Sequence, residues 1–122
     1  SLVRGTSSKA IIKALRRSGA RKISMVITYP PIRFPCYAGI DFPSQDELVT
    51  FFDDGKKYDE KEMTEKVRQV IGADFLGYND EKNLAEAVGI DVNSMCFTCS
   101  TGNYNSLGIK PIFKTRAEIK GE

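Results

Sequence analysis

Thr6-Ser7-Ser8-Lys9-Ala10-Ile11-Ile12-Lys13-Ala14-Leu15-Arg16-Arg17-Ser18-Gly19, followed closely by Ile23-Ser24-Met25-Val26-Ile27-Thr28, decides the fold class of this chain. Ile11, Ile12 and Leu15 form an apolar stripe with Lys13, Arg16 and Arg17 outside it. Hydroxyls stand where N-caps belong, and Gly19 stands where a C′ glycine belongs. The pattern predicts a helix of about three turns. The run from Ile23 to Thr28 is nearly continuous in β-favouring residues and is bounded by prolines, which is how a buried parallel strand reads. A helix feeding such a strand makes the chain α/β.

Further along, Ser44-Gln45-Asp46-Glu47 has the form of a capping box. Leu48, Phe51 and Phe52 would give the helix behind it an apolar face, and Asp53-Asp54-Gly55 would break it. From Asp59 onward Met63, Val67, Val70 and Ile71 recur at helical spacing, and Gly72 stops the run. Phe75 to Tyr78 has strand length. Asp80 can cap a helix carrying Leu84, Ala85 and Val88, closed by Gly89. A cysteine pair, Cys96 and Cys99, comes next in an expected loop. The end from Lys110 to Glu122 alternates charge with little apolar content, so residues 1–109 are expected to form the domain and 110–122 a mobile tail.

Length and composition bound the function. The 122 residues, 41% hydrophobic, suffice for one domain with a modest core. With 18 basic against 16 acidic residues, the net charge of +2 argues for neither nucleic acid nor an anionic membrane as partner. No apolar stretch approaches bilayer-spanning length. The absence of histidine excludes Ser-His-Asp and Cys-His nucleophilic sites and any His-bearing zinc site within these residues. Three cysteines are an odd number for a disulfide framework and favour a reducing compartment, the cytoplasm, which raises metal or cluster ligation among their roles.

Two stretches carry chemistry. Arg4-Gly5-Thr6-Ser7-Ser8-Lys9 places a flexible glycine, three hydroxyls and successive backbone N–H groups at the mouth of a helix. Unpaired N–H groups and the positive end of the helix dipole favour an anion such as phosphate there, and the plain alternative is an ordinary capped helix start. The glycine and lysine spacing is not that of a Walker A loop. The second stretch is Tyr29-Pro30-Pro31-Ile32-Arg33-Phe34-Pro35-Cys36-Tyr37-Ala38-Gly39-Ile40-Asp41. Its prolines forbid regular structure and hold Cys36 on a stiff loop. Cys96-Phe97-Thr98-Cys99 adds two thiols in ligand spacing, a pattern shared by iron–sulfur sites, structural zinc, redox pairs and simple buried cysteines.

Leu2-Val3-Arg4-Gly5-Thr6-Ser7-Ser8-Lys9 resembles the second half of the phosphoribosyl pyrophosphate (PRPP) loop of type I phosphoribosyltransferases, specifically of the glutamine PRPP amidotransferase family. The Pro30 to Asp41 stretch, Asp46-Glu47-Leu48, Ile71-Gly72-Ala73-Asp74-Phe75-Leu76-Gly77-Tyr78 and the Cys96 to Tyr104 segment resemble that family's carboxy-terminal region in order and approximate spacing.

The resemblance implies a partial type I phosphoribosyltransferase fold, a parallel sheet flanked by helices with a helical, cysteine-bearing C-terminal region. It implies an enzyme that makes 5-phosphoribosylamine from PRPP and glutamine-derived ammonia at the first step of de novo purine biosynthesis. Arg4, Gly5, Thr6, Ser7 and Ser8 would cradle the 5-phosphate. Mg²⁺ would be held mostly by residues preceding this loop in the family, among them two adjacent aspartates. Cys36, Cys96 and Cys99 would supply three of the four ligands of the [4Fe–4S] cluster of one branch. That cluster would be structural or oxygen-sensing, because the displacement transfers no electrons. Purine nucleotides would be feedback inhibitors, and the intact enzyme a homo-oligomer.

The sequence also departs from the pattern. The aspartate pair and the glutaminase domain with its terminal cysteine nucleophile are not among these residues, so the chain alone is expected to be inactive. The stretch from Val49 to Lys61 is longer than the family leads one to expect. Asp53-Asp54 lacks the strand and loop context of the missing pair and reads as a solvated turn. The second reading is a non-catalytic metal- or phosphate-binding regulatory module derived from a phosphoribosyltransferase domain. A salvage phosphoribosyltransferase is disfavoured by the Pro-Pro-Ile and cysteine motifs.

Overall fold

In the computed structural model, residues 2–40 and 42–110 are described, so most of the expected tail at 110–122 lies outside them. The first helix, α1, spans Thr6–Arg17, ends at Ser18 and turns through Gly19 at φ 94°, a left-handed backbone that glycine adopts without penalty. Its N-cap is Gly5 and not one of the hydroxyl residues, which instead occupy the first turn, and no side chain caps it. Of the expected stripe only Ile12 is buried, while Ile11 and Leu15 face outward.

Strand β1 covers Ser24–Ile27 and pairs in parallel with β2, Phe75–Tyr78, in the register Ser24 to Phe75 and Ile27 to Tyr78. The parallel pairing matches the sequence expectation, but the full burial of β1 does not. Its residues alternate between exposed and half-buried, and Val26 is 72% exposed. Among the described residues the sheet has two strands, with helical packing on the face of Met25, Ile27 and Leu76, so the Val26 face is bare.

Helix α2, Glu60–Ile71, shows a complete capping box. Asp59 accepts from the Glu62 amide at 2.8 Å, the Glu62 carboxylate accepts from the Asp59 amide at 3.1 Å, and Gly72 closes the helix at φ 81°. Met63, Val67 and Ile71 form its buried face, with Val67 wholly inaccessible. They meet Leu2, Ile12, Ile23, Val49, Ala73 and Leu76 in the main core. Arg16 clamps the edge by donating to Asp74 at 2.7 Å, while Asp74 also accepts from the Ile23 amide at 2.7 Å. These contacts hold the Asp74 carboxyl below the ordinary range, the Ile23 amide contributing most and Arg16 next.

Helix α3, Glu81–Val88, is capped by Asp80 and closed by Gly89 as the sequence indicates, though Val88 stays 57% exposed and Ala85 is its buried residue. The helix expected behind Ser44 is a single 3₁₀ turn, Gln45–Glu47. The capping box exists, with the Glu47 carboxylate accepting from the Ser44 amide at 3.1 Å and its hydroxyl at 2.9 Å. Helix growth stops because Leu48 turns extended (ψ 138°) and the Val49 amide donates to the Val3 carbonyl at 2.8 Å. Thr50 then donates to Ile32 at 2.7 Å. A tertiary bond thus takes the Val49 amide that a second helical turn would use, and the Thr50 hydroxyl fastens the extended segment behind it. The cysteine pair is only partly in a loop, since Cys99 lies in a short helix, α4, Thr98–Thr101, and Cys96 just before it.

Candidate functional site: a phosphate cradle and a cysteine cluster

The backbone from Leu2 into α1 lines an open hollow of about 400 Å³. Gly5 shapes it in two ways. Its φ of 78° is left-handed, and a Cβ there would stand 2.9 Å from Val49 Cγ2, so neither the conformation nor the space accommodates a side chain. Among the described residues, nothing accepts from the amides or hydroxyls of Thr6, Ser7 and Ser8, and the first returning bond of α1 runs from Lys9 N to Gly5 O at 2.9 Å. These donors and the positive end of α1 converge on the hollow, the arrangement that binds a phosphate oxygen set. Arg4 is at its rim, half-exposed and 3.5 Å from Glu47 Oε1. At that distance and exposure the ion pair is weak, leaving Arg4 able to turn toward an anion.

The proline loop docks onto the cysteine segment. Arg33 N and Phe34 N both donate to the Cys99 carbonyl at 2.9 Å, and Tyr29 Oη donates to the Cys96 carbonyl at 2.9 Å. Tyr104 is buried and donates to the Pro35 carbonyl at 2.5 Å, with its ring edge-on to Tyr37 at 5.1 Å. Gly102, at φ 73°, lies against Phe34, whose ring carbons would be 2.9 Å from a Cβ there. These braces carry Cys36 to the Cys96 and Cys99 segment, although two helices and a strand intervene in sequence.

The three thiols are free and differ in surroundings. Cys99 is half-buried, and burial pushes its thiol up, with smaller upward contributions from the charges of Cys36 and Cys96 and a downward one from Tyr29 Oη, 3.8 Å away. Cys96 is exposed, and the Thr98 hydroxyl and then the Thr98 amide lower it. The Tyr104 phenol is pushed up to about 12, chiefly by burial and then by Tyr37, Cys99 and Cys36. Among the described residues, no three His, Cys, Asp or Glu side chains gather tightly enough to hold a metal ion. The thiols therefore share a neighbourhood without closing on one point. Alkylation by iodoacetamide at neutral pH, followed by mass spectrometry, should modify Cys96 first and Cys99 last. Equal rates at the three positions would contradict these surroundings.

The sequence did not single out Val49, which forces the glycine at position 5, or Tyr104, which anchors the Cys36 loop. Their signal is only that of ordinary apolar residues. Phe34 and Tyr29 are aromatic residues beside prolines, and both brace the loop against the cysteine segment.

An open loop at the start of α1 beside a parallel strand pair with helical packing matches an α/β fold of the phosphoribosyltransferase type. No family profile matches the chain. The amidophosphoribosyltransferase of Mycobacterium leprae is 40% identical over 104 residues, 85% of this chain and 18% of that protein. Amidophosphoribosyltransferase 1, chloroplastic, of Arabidopsis thaliana is 34% identical over 120 residues, 98% of this chain and 19% of that protein. The solved structure of the glutamine PRPP amidotransferase from B. subtilis complexed with ADP and GMP superposes with a TM-score of 0.69 at 36% identity, over 85% of this chain and 22% of that one. The chain belongs to the amidophosphoribosyltransferase family, and it spans about a fifth of the length of these relatives.

Proposed function

We propose that this chain supplies the 5-phosphate cradle of an enzyme that makes 5-phosphoribosylamine from PRPP and glutamine-derived ammonia, the first step of de novo purine biosynthesis. The observation that carries the reading is the hollow at Leu2 to Ser8, where a left-handed Gly5 opens the first turn of α1 and its donors have no described acceptor. Thr6, Ser7 and Ser8 would donate to the phosphate oxygens through amide and hydroxyl, and Arg4 would add charge from the rim. The cradle orients the sugar and leaves the displacement at the anomeric carbon to groups outside this chain, so the isolated chain binds without turning over. Mg²⁺, which would neutralise the departing pyrophosphate, finds its expected ligands in family positions outside these residues.

Cys36, Cys96 and Cys99 would hold three corners of a [4Fe–4S] cluster, with the fourth ligand from elsewhere in the protein. A donor set of thiols alone suits iron and sulfide. A cluster presents its irons at separate corners, so its thiolates stand apart where the ligands of one ion would meet, which agrees with the loose grouping described above. The cluster would tie the proline loop to the Cys99 segment. The intact protein would be a cytoplasmic homo-oligomer subject to feedback by purine nucleotides.

Titrating PRPP into the ¹⁵N-labelled chain tests the cradle. The amide resonances of residues 4–9 should shift most, and inorganic phosphate should compete. Shifts confined to other residues, or none at millimolar PRPP, would reject the reading.

A further inference from the structure

Strand β1 ends at Ile27, and the chain leaves it through Thr28 and Tyr29 into the proline loop. Both sides of that exit are fixed. Asn79 donates its backbone amide to the Ile27 carbonyl at 2.9 Å and its side-chain amide to the Thr28 carbonyl at 3.2 Å, and Pro30 and Pro31 restrict the backbone immediately after. The Tyr29 ring lies against buried Phe97, with centroids 5.7 Å apart and planes tilted by 31°. Sheet, prolines and Phe97 thus place Tyr29 without help from any thiol. Its hydroxyl reaches both cysteines of the C-x-x-C segment, standing 2.9 Å from the Cys96 carbonyl and 3.8 Å from Cys99 Sγ.

A phenol carries one hydrogen and can also accept. While Cys99 is a thiol both contacts are satisfied at once, because its S–H can donate to Tyr29 Oη while Tyr29 donates to the Cys96 carbonyl. A metal-bound Cys99 is a thiolate with no hydrogen to give, so the Tyr29 proton then stands alone between two acceptors. Hydrogen bonds to a charged acceptor are roughly twice as strong as those to a neutral one, which favours the sulfur. Rotation of the hydroxyl is enough to make the change, and Cys96 is exposed, so water can take over at its carbonyl. Resting on the cluster reading above, we infer that Tyr29 donates a hydrogen bond to the Cys99 sulfur of the cluster and raises its reduction potential. A donor there relieves the negative charge that reduction adds.

The intact protein, produced anaerobically as the wild type and as Tyr29→Phe, tests this. Phenylalanine keeps the ring on Phe97 and removes only the hydroxyl. The variant should retain its iron and sulfide, and its cluster should be about tenfold harder to reduce, a fall of about 59 mV in the one-electron midpoint potential. Electron–nuclear double resonance of the reduced cluster should show a proton coupling that heavy water removes in the wild type and that is missing from Tyr29→Phe. Loosening of the loop alone would cost iron without deleting one exchangeable coupling. An unchanged potential, or the coupling retained in the variant, would overturn the assignment while leaving the cluster in place, whereas a wild-type protein without iron would overturn the cluster reading along with it. If Tyr29→Phe sheds its cluster, the wild-type spectrum decides by itself, since the proposal falls if no exchangeable coupling is there.

Discussion

Gly5→Val is expected to abolish phosphate binding at the cradle and to destabilise the chain by about 2–5 kcal/mol. The left-handed conformation costs a side-chain-bearing residue about 1–2 kcal/mol, and forcing extra atoms into a packed site costs about 1–3 kcal/mol more. Both penalties apply, because φ is 78° and Val49 Cγ2 would meet the new Cβ at 2.9 Å. Val49 is itself buried in the main core beside Ile71, and its amide is tied to Val3, so it has little room to retreat. Any relief must come from moving the loop, which disperses the donors of Thr6, Ser7 and Ser8. Urea denaturation and a phosphate titration read the two effects separately. Adding Val49→Ala to Gly5→Val should recover part of the packing penalty but not the backbone strain, so stability should stay below that of Val49→Ala alone. A Gly5→Val chain with unchanged midpoint and phosphate affinity would refute both the steric account and the cradle.

Much of this architecture was legible because its signals are local. Gly72 and Gly89 end helices where left-handed closure needs glycine, and Asp59 and Asp80 start them by accepting from amides three residues on. The same local logic failed at Ser44. Its capping box forms, but the Val49 amide bonds to Val3 and Thr50 to Ile32, and these distant partners end the helix after one turn. Burial was misjudged for Val26 because a β-favouring run does not reveal how many strands flank it. At the cradle, residue types and order pointed to an anion site, yet the N-cap proved to be Gly5 and the hydroxyls first-turn donors. Val49, more than forty positions away in sequence, crowds the space a side chain at position 5 would need, and no local rule reveals it. Nothing near Cys36 announces Tyr104, although the Tyr104 bond to Pro35 helps seat the cysteine loop.

If the three cysteines ligate the proposed cluster, Cys96→Ser in the intact protein produced anaerobically is expected to remove most of its iron and sulfide while leaving the fold of this region unchanged. The choice of residue separates ligation from packing. Cys99 is half-buried, packed beside Tyr29 and within a short helix whose carbonyl holds the Arg33 and Phe34 amides, so its substitution disturbs structure whatever its role. Cys96 is exposed, and its thiol has only Thr98 as a described hydrogen-bond partner. As a small surface residue it would contribute within about ±0.5 kcal/mol, and serine there would pass unnoticed. As a cluster ligand it cannot be replaced so quietly, because serine oxygen is a harder donor than sulfur and its hydroxyl a far weaker acid than the thiol it replaces. The thiol is already lowered by the Thr98 hydroxyl and amide, which favours the anionic form that binds iron, and that form is lost as pH falls below its shifted value. Iron retention should therefore decline on acidification in the wild type. Chemical iron and sulfide analysis with the visible absorption spectrum gives the readout, and thermal unfolding monitors the fold. Unchanged iron in Cys96→Ser would reduce the three cysteines to packing and surface residues, while the phosphate cradle, which shares no atom with them, would stand.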